Sequence, residues 1–449
     1  MRIAQNQWLA QVQQPLRKTA FSFALAFAFM VFSDIHELVG LVTGIKSYIL
    51  IITTVPMIIL VFLSGGFRRT LRWPAAKYWL GFGVWMVVAL PFSSWRAASL
   101  SRTIIWTRAE LPILFAIAGC VLTLGEFSRL VKILAWAAAV VVISGRLFAG
   151  QMVGRLELEG TTFSDPNDYA AHLIFLLPFL LIVAMSSGRS AAVRVGASGL
   201  TLYGLYLLLT TGSRGGLVAL VVMLLLCLWK LRPRLKITVA VIAAVLSCVA
   251  LIAIPSQIRA RFGTIFLSAH VEPGRQLSDE ELRAIESSEA RNYTLRQSIL
   301  ASITHPLFGV GMGEFQNYEG RTSREKGEIG YWHETHNSYT QVSSELGIPA
   351  LLFYVGAIVV PYRMLDRLYR TSQRSLAPDA RLISMIAFCL QLSLIGFSSA
   401  SFFLSLAYRF YLPALTGLAI AFSRAVQQTW EPALAAASND TLYADVVTS

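Results

Sequence analysis

Apolar residues run in long blocks from Phe21 almost to Arg424, broken by short polar turns and by one long polar segment between about Pro255 and Glu345. A membrane-crossing helix needs roughly 20 mostly apolar residues. Blocks near that length predict twelve spans, at 19 to 33, 47 to 64, 77 to 92, 109 to 124, 127 to 148, 169 to 186, 191 to 211, 214 to 230, 236 to 254, 346 to 365, 381 to 399 and 402 to 423. In the long segment, Leu282, Ile285, Leu295, Ile299 and Ile303 recur at helical spacing, and Gly309, Gly311, Gly313 and Gly320 punctuate the stretch after them. That pattern predicts amphipathic helices joined by irregular loops. The expected fold class is all-α: a polytopic membrane protein with about 12 transmembrane helices, nine over residues 1–254 and three over 346–430, flanking a loop at 255–345. No internal repeat is visible, and the polar tail at 431–449 reads as disordered and cytoplasmic.

Composition agrees with the pattern. Of 449 residues, 55% are hydrophobic and 14% charged, with mean hydropathy +0.59, whereas soluble domains carry about 25% charged residues. An ordinary soluble enzyme is excluded. Cys120, Cys227, Cys248 and Cys389 lie inside apolar runs without CxxC or Cys/His pairing, so they read as small core residues rather than metal ligands or disulfides. The basic N-terminus, with Arg17 and Lys18, precedes an apolar run that lacks a small-residue cleavage site, which reads as a retained first helix.

The formal charge of +13 does not imply nucleic acid, because most Lys and Arg occupy short loops between apolar runs. With a cytoplasmic N-terminus, the inside loops hold Arg68, Arg69, Arg72 and Lys77; Arg189 and Arg194; Lys230, Arg232, Arg234 and Lys236; and Arg363, Arg367, Arg370, Arg374 and Arg381. The opposite loops mix arginine with Asp34, Glu37, Glu157, Glu159 and Asp165. By the positive-inside rule both termini are then cytoplasmic, and the long loop lies outside, which in a bacterial inner membrane is the periplasmic face.

The candidate chemistry gathers on that outer face. Thr335-His336-Asn337-Ser338-Tyr339 precedes the tenth span, and an unperturbed histidine, with pKa near 6.5, takes a proton from a hydroxyl at neutral pH. The competing reading is a histidine capping a helix. Arg214 stands in Thr211-Gly212-Ser213-Arg214-Gly215-Gly216 between two apolar runs, where an arginine is costly unless paired. The glycines and Ser213 let backbone amides approach an anion such as a diphosphate, although an interfacial arginine can also snorkel.

Arg291 and Arg296 lie on the predicted loop helix with Arg275 and Arg283 upstream, and a guanidinium holds phosphate through two parallel hydrogen bonds. A solvated helix face paired with Glu286 or Glu289 explains them equally well. Arg155 and the run from Thr162 to Asp168 occupy the outer loop before the sixth span, where Asp165 or Asn167 is also an N-cap candidate. Arg409, read inside the last span, needs a counter-ion or a cavity, and His172 reads as a core histidine. No G-x-S-x-G elbow, HExxH, P-loop or dense acidic cluster is present, which leaves His336 and the arginines to act on an anionic, diphosphate-linked lipid and a hydroxyl acceptor.

These residues resemble the O-antigen ligase and polymerase family, whose members share the so-called Wzy_C region. The likeness rests on Arg291, then His305-Pro306-Leu307, Gly309-Val310-Gly311-Met312-Gly313-Glu314-Phe315, His336-Asn337-Ser338-Tyr339 and Glu345-Leu346-Gly347, with Arg214 in its Gly-Ser-Arg-Gly-Gly setting and Phe163 to Asn167 upstream. The resemblance implies an inverting, metal-independent glycosyltransferase of the GT-C type, needing no cofactor, that releases undecaprenyl diphosphate as a glycan moves to an acceptor hydroxyl. It makes His336 the general base or acceptor-positioning group, Arg214 and Arg291 the holders of the diphosphate, and Glu345 and Asn337 orienting residues. Arg155, Asp165, Asn167, Arg296, Tyr339 and Arg409 complete the expected substrate-binding set. The additional His333 and Glu334 leave open which histidine acts.

The leading expectation is a ligase joining undecaprenyl-linked polysaccharide to a lipid A core sugar. A polymerase joining repeat units differs only in its acceptor, and a protein O-oligosaccharyltransferase shares the motifs. A lipid-linked glycan transporter is the reading from another class, but transporters show paired halves with broken helices near the midplane, whereas here the polar features gather in one outer loop.

Overall fold

The computed structural model describes residues 14–45, 48–152, 155–158, 160–267, 279–327, 329–377 and 379–447. In chain order the helices are α1 (Pro15–Ser33), α2 (Ile35–Thr43), α3 (Ile49–Leu63), α4 (Gly66–Leu71), α5 (Pro74–Ala89), α6 (Arg96–Ile105), α7 (Pro112–Cys120), α8 (Leu124–Leu147), α9 (Pro166–Met185), α10 (Ala191–Thr210), α11 (Arg214–Lys230) and α12 (Pro233–Ala253). After these come α13 (Ser256–Leu267), α14 (Asp279–Thr304), α15 (Phe315–Glu325), α16 (Ser338–Arg374), α17 (Ala380–Ala400) and α18 (Tyr411–Val447). A short antiparallel hairpin, β1 (Gly150–Met152) against β2 (Arg155–Glu157), interrupts the helices. The protein is an all-α polytopic membrane protein.

Among the described residues, nine helical stretches are long and apolar enough to cross a membrane. The three other predicted spans fall on α3, α11 and α18. Two predicted spans change their limits. The one expected at 109 to 124 is the second half of Arg96–Cys120, a helix carried through a π-turn at Trp106–Glu110. Arg96, Arg102 and Arg108 hide its first half from a search for apolar runs. The span expected at 402 to 423 begins only at Tyr411, after an irregular stretch, so Arg409 lies before the last helix and not within it. The tail expected at 431–449 falls on residues whose side chains lie outside those described, and so does Arg275.

Local sequence sets the helix ends that carry the site. Asp165 caps α9, accepting from the backbone N–H of Asn167 at 2.6 Å, with Pro166 at the first helical position. Ser213 caps α11 and accepts from Gly216 N–H at 3.2 Å. Asn337 caps α16, accepting from the N–H groups of Tyr339 and Thr340 at 2.9 and 3.1 Å.

α16 is broken at Gly347, where φ is 82° and ψ 175°. The break lets the segment after α14 knit to it: Ile348 N–H donates to Pro306 O at 2.7 Å, Val310 N–H to Ser344 O at 2.8 Å and Gly311 N–H to Glu345 O at 2.9 Å. A Cβ at Gly347 would stand 2.1 Å from Leu307 O, and one at Gly309 would stand 2.2 Å from the Glu345 carbonyl carbon. Only glycine permits this approach. Phe308 then stacks on Phe92, with ring centroids 3.9 Å apart, and on Trp85 at 5.6 Å, which ties the junction to α5. The interior is built largely on α9 and α17, where His172 is fully buried between Tyr411 Oη and Phe32 O, as expected of a core histidine.

Candidate functional site

Four arginines from four separate segments face one another at the end of the bundle where α9 and α11 begin. Arg155 on β2 donates from Nε to Thr211 O at 2.8 Å and from Nη2 to Asn167 Oδ1 at 3.0 Å. Arg261 on α13 donates from Nε to Gly212 O at 3.1 Å. Arg214 opens α11 directly after its cap, and Arg291 is half-buried on α14. The positive charges of Arg155, Arg214 and Arg291 all act on Arg261.

Burial pushes Arg155 down to about 10, with Arg291 and Arg214 adding to the shift and Asp165 and Glu157 opposing it. Burial, then Arg155, Arg214 and Arg291, pushes Arg261 down to about 9. Burial also lowers Arg291, against the pull of Asp165. Arg155 and Arg261 remain charged at neutral pH, so the cluster concentrates positive potential with Asp165 as the carboxylate that tempers it.

His336 stands beside this cluster in the left-handed region, at φ 50°. That conformation costs a non-glycine residue roughly 1–2 kcal/mol and persists only where surrounding contacts enforce it. The enforcing contacts come from the loop before α18. His336 N–H donates to Ser405 Oγ at 2.9 Å, and Thr335 Oγ1 lies 3.2 Å from the same hydroxyl while donating to Asn337 O. From the other side, Glu319 on α15 accepts from the N–H groups of Tyr331 and Trp332 at 3.3 and 2.9 Å, holding the chain just before the motif.

The sequence suggests an unperturbed imidazole; the structure does not give one. Burial first, then Arg291 and His333, push His336 down to about 4, with Asp165 opposing. The ring is therefore neutral at pH 7. The His333 ring lies 6.4 Å from it on an exposed residue.

Residues 199–355 match the family model described as O-antigen ligase. The chain carries an O-antigen ligase region. A search of curated proteins found no match.

The O-antigen ligase region contains Arg214, Arg261, Arg291, His336 and Glu345, while Arg155, Asp165 and Asn167 reach the site from outside it. The fold therefore completes the site with the hairpin and with the loop before α18. Glu345 in this region is buried and accepts from Gly313 N–H at 2.8 Å, so it locks the glycine-rich loop to α16. Asn337 caps its helix, and Tyr339 donates to Ser398 O at 3.0 Å and stacks on Phe402 at 4.2 Å. These are fold-making contacts. Arg296 is exposed on α14 and is not among the charges acting on Arg155, Arg261 or His336; Arg283 is exposed as well. Arg409 finds the expected counter-ion in Glu110, at 3.9 Å, and its side chain is 44% exposed.

Three contributors escape sequence reasoning. Arg261 sits in Ile-Arg-Ala-Arg-Phe just after the ninth span, where it reads as an ordinary flanking arginine. Ser405 and Glu319 act through hydrogen bonds to backbone, which leave no sequence pattern.

Proposed function

We propose that this protein is an inverting, metal-independent glycosyltransferase that moves a polysaccharide from undecaprenyl diphosphate to a hydroxyl of a lipid A core sugar at the periplasmic face of the inner membrane. The O-antigen ligase region supports a ligase- or polymerase-type activity on a lipid-linked glycan. The observation that carries the finer reading is the convergence of Arg155, Arg214, Arg261 and Arg291 beside a neutral histidine. Four guanidiniums in a partly dry setting demand a multiply charged anion, and a diphosphate supplies it.

In the proposed reaction the acceptor oxygen attacks the anomeric carbon on the face opposite the diphosphate. The new C–O bond forms as the bond to the phosphate oxygen breaks, and the electron pair leaves with undecaprenyl diphosphate. The arginines stabilise that developing charge in the role a metal ion fills elsewhere. The acceptor proton passes to an imidazole nitrogen of His336. A bound diphosphate offsets the arginine charge that depresses this ring, so its pKa rises toward the range suited to a base when the donor is in place.

The test uses purified protein with lipid-linked donor and core acceptor. Transfer persisting in EDTA, with a product of inverted anomeric configuration by NMR, supports the mechanism; abolition by chelation, or retention of configuration, rejects it. A deletion strain separates acceptors: loss of all long chains from the core supports ligation, and a core carrying one repeat unit supports polymerisation.

A further inference from the structure

A second buried cationic cluster lies at the far end of the bundle. α1 fixes the geometry, since Asp34, just beyond its C-terminus, accepts from Thr162 N–H and Oγ1 at 3.0 Å each on the site-bearing loop, while Arg17 stands in its first turn. Around Arg17, three guanidiniums close on the C-terminal end of α7. Arg17, with no exposed surface, donates from Nη1 to Cys120 O at 2.9 Å and pairs with Glu126 at 2.8 Å. Arg69 donates from Nε and Nη2 to Gly119 O at 3.1 and 2.9 Å. Arg424 donates from Nη2 to the carbonyls of Ala118 and Val121.

The helix-end carbonyls are therefore satisfied, and among the described residues the carboxylate paired with this cluster is Glu126, which bonds Arg17 and acts on Arg424. Glu126 is itself shared, accepting from Leu122 and Thr123 N–H at 2.9 and 3.3 Å. Donors are left over. Arg424 is 8% exposed, yet its Nε and Nη1 have no hydrogen-bond partner among the described residues. The same holds for Ser423 Oγ, on a residue 5% exposed, and for Trp430 Nε1. Ser423 and Trp430 are seven residues apart on α18 and so share a helix face, with Arg424 adjoining.

We propose that this is a binding site for a phosphate group. The leftover groups are a guanidinium, an indole N–H and a hydroxyl, so the site offers donors and an excess of positive charge. A single carboxylate offers acceptors on one edge, whereas a phosphate presents oxygens in several directions, which suits donors from three different side chains. Two sources share this chemistry: the head group of an anionic phospholipid at that membrane surface, and free phosphate.

Native mass spectrometry of the full-length protein tests it, with phosphatidylglycerol, phosphatidylcholine and inorganic phosphate as separate probes. The wild type should retain one phosphatidylglycerol in preference to phosphatidylcholine, and R424Q and S423A should each lower that retention by about tenfold. R296A, on the exposed face of α14, should retain it fully. Retention of inorganic phosphate alone, lost in the same two variants, assigns the site to the free ion. S423A keeps every charge and so remains informative if R424Q fails to fold. Unchanged retention in S423A and folded R424Q, equal retention of phosphatidylcholine, loss in R296A, or no retention of any probe overturns the proposal.

Discussion

The backbone N–H of His336 donates to the hydroxyl of Ser405 at 2.9 Å, joining the motif histidine to a loop 69 residues further along the chain. Through this bond the loop before α18 holds His336 in its left-handed conformation. Loss of such a bond costs about 0.5–1.5 kcal/mol, roughly a twofold to tenfold effect on an equilibrium. Ser405→Ala should therefore lower kcat about tenfold with little change in donor KM, and Ser405→Thr should restore most of it. Steady-state kinetics check this, and a change confined to KM would assign Ser405 to substrate binding.

His336→Ala should reduce transfer by about 10² to 10⁴-fold in a folded, membrane-inserted protein. Donor binding should survive, because the arginines hold the diphosphate, and His333→Ala should be far milder. Titration with donor followed by single-turnover kinetics separates the two steps. Near-wild-type turnover by His336→Ala would exclude the histidine as base.

The pH profile reflects the depressed histidine. Its neutral form is the active one, so activity is lost as pH falls through the pKa. Since kcat/KM reports the free enzyme, its acid limb should lie near pH 4, where burial, Arg291 and His333 hold the ring. The limb of kcat, which reports the donor complex, should lie at higher pH. Coincident limbs near 6.5 would mean that the ring feels neither burial nor the arginines.

Alanine at Arg155, Arg214, Arg261 or Arg291 should weaken donor binding by about 10- to 150-fold, the range for a charge-assisted hydrogen bond. Lysine should rescue only in part because it lacks the planar fork. Arg296→Ala, on the exposed face of α14, should bind donor as the wild type does. Equal losses at Arg296 and Arg291 would reduce the cluster to general surface charge.

Gly347→Ala should destabilise the junction between α14 and α16, since the added Cβ would lie 2.1 Å from Leu307 O at a φ of 82°. Overpacking and left-handed strain together cost about 2–5 kcal/mol. Thermal unfolding followed by size-exclusion chromatography should show a clear fall in midpoint. An unchanged midpoint would mean that the junction relaxes freely.

Hydrophobic patterning by itself determined that the chain is a polytopic helical membrane protein, because the bilayer leaves a spanning chain few ways to satisfy its backbone. The cap at Asp165 was legible too, since a cap is a local signal read within three residues, whereas Ser213 and Asn337, read from sequence for other roles, emerged as caps only in the structure. Arg214 and His336 were singled out by their short, unusual settings and Arg291 by the family resemblance. Tertiary structure alone decided which arginines meet: Arg261, which reads as a flanking charge, joins the cluster, while Arg296, expected beside Arg291 in the substrate-binding set, is exposed. It also gave Glu345 to Gly313, moved Arg409 out of the last helix, and lowered His336. The reason is physical. Spacing along the chain fixes which residues share a helix face, but burial and the field of distant charges depend on segments brought together only by folding.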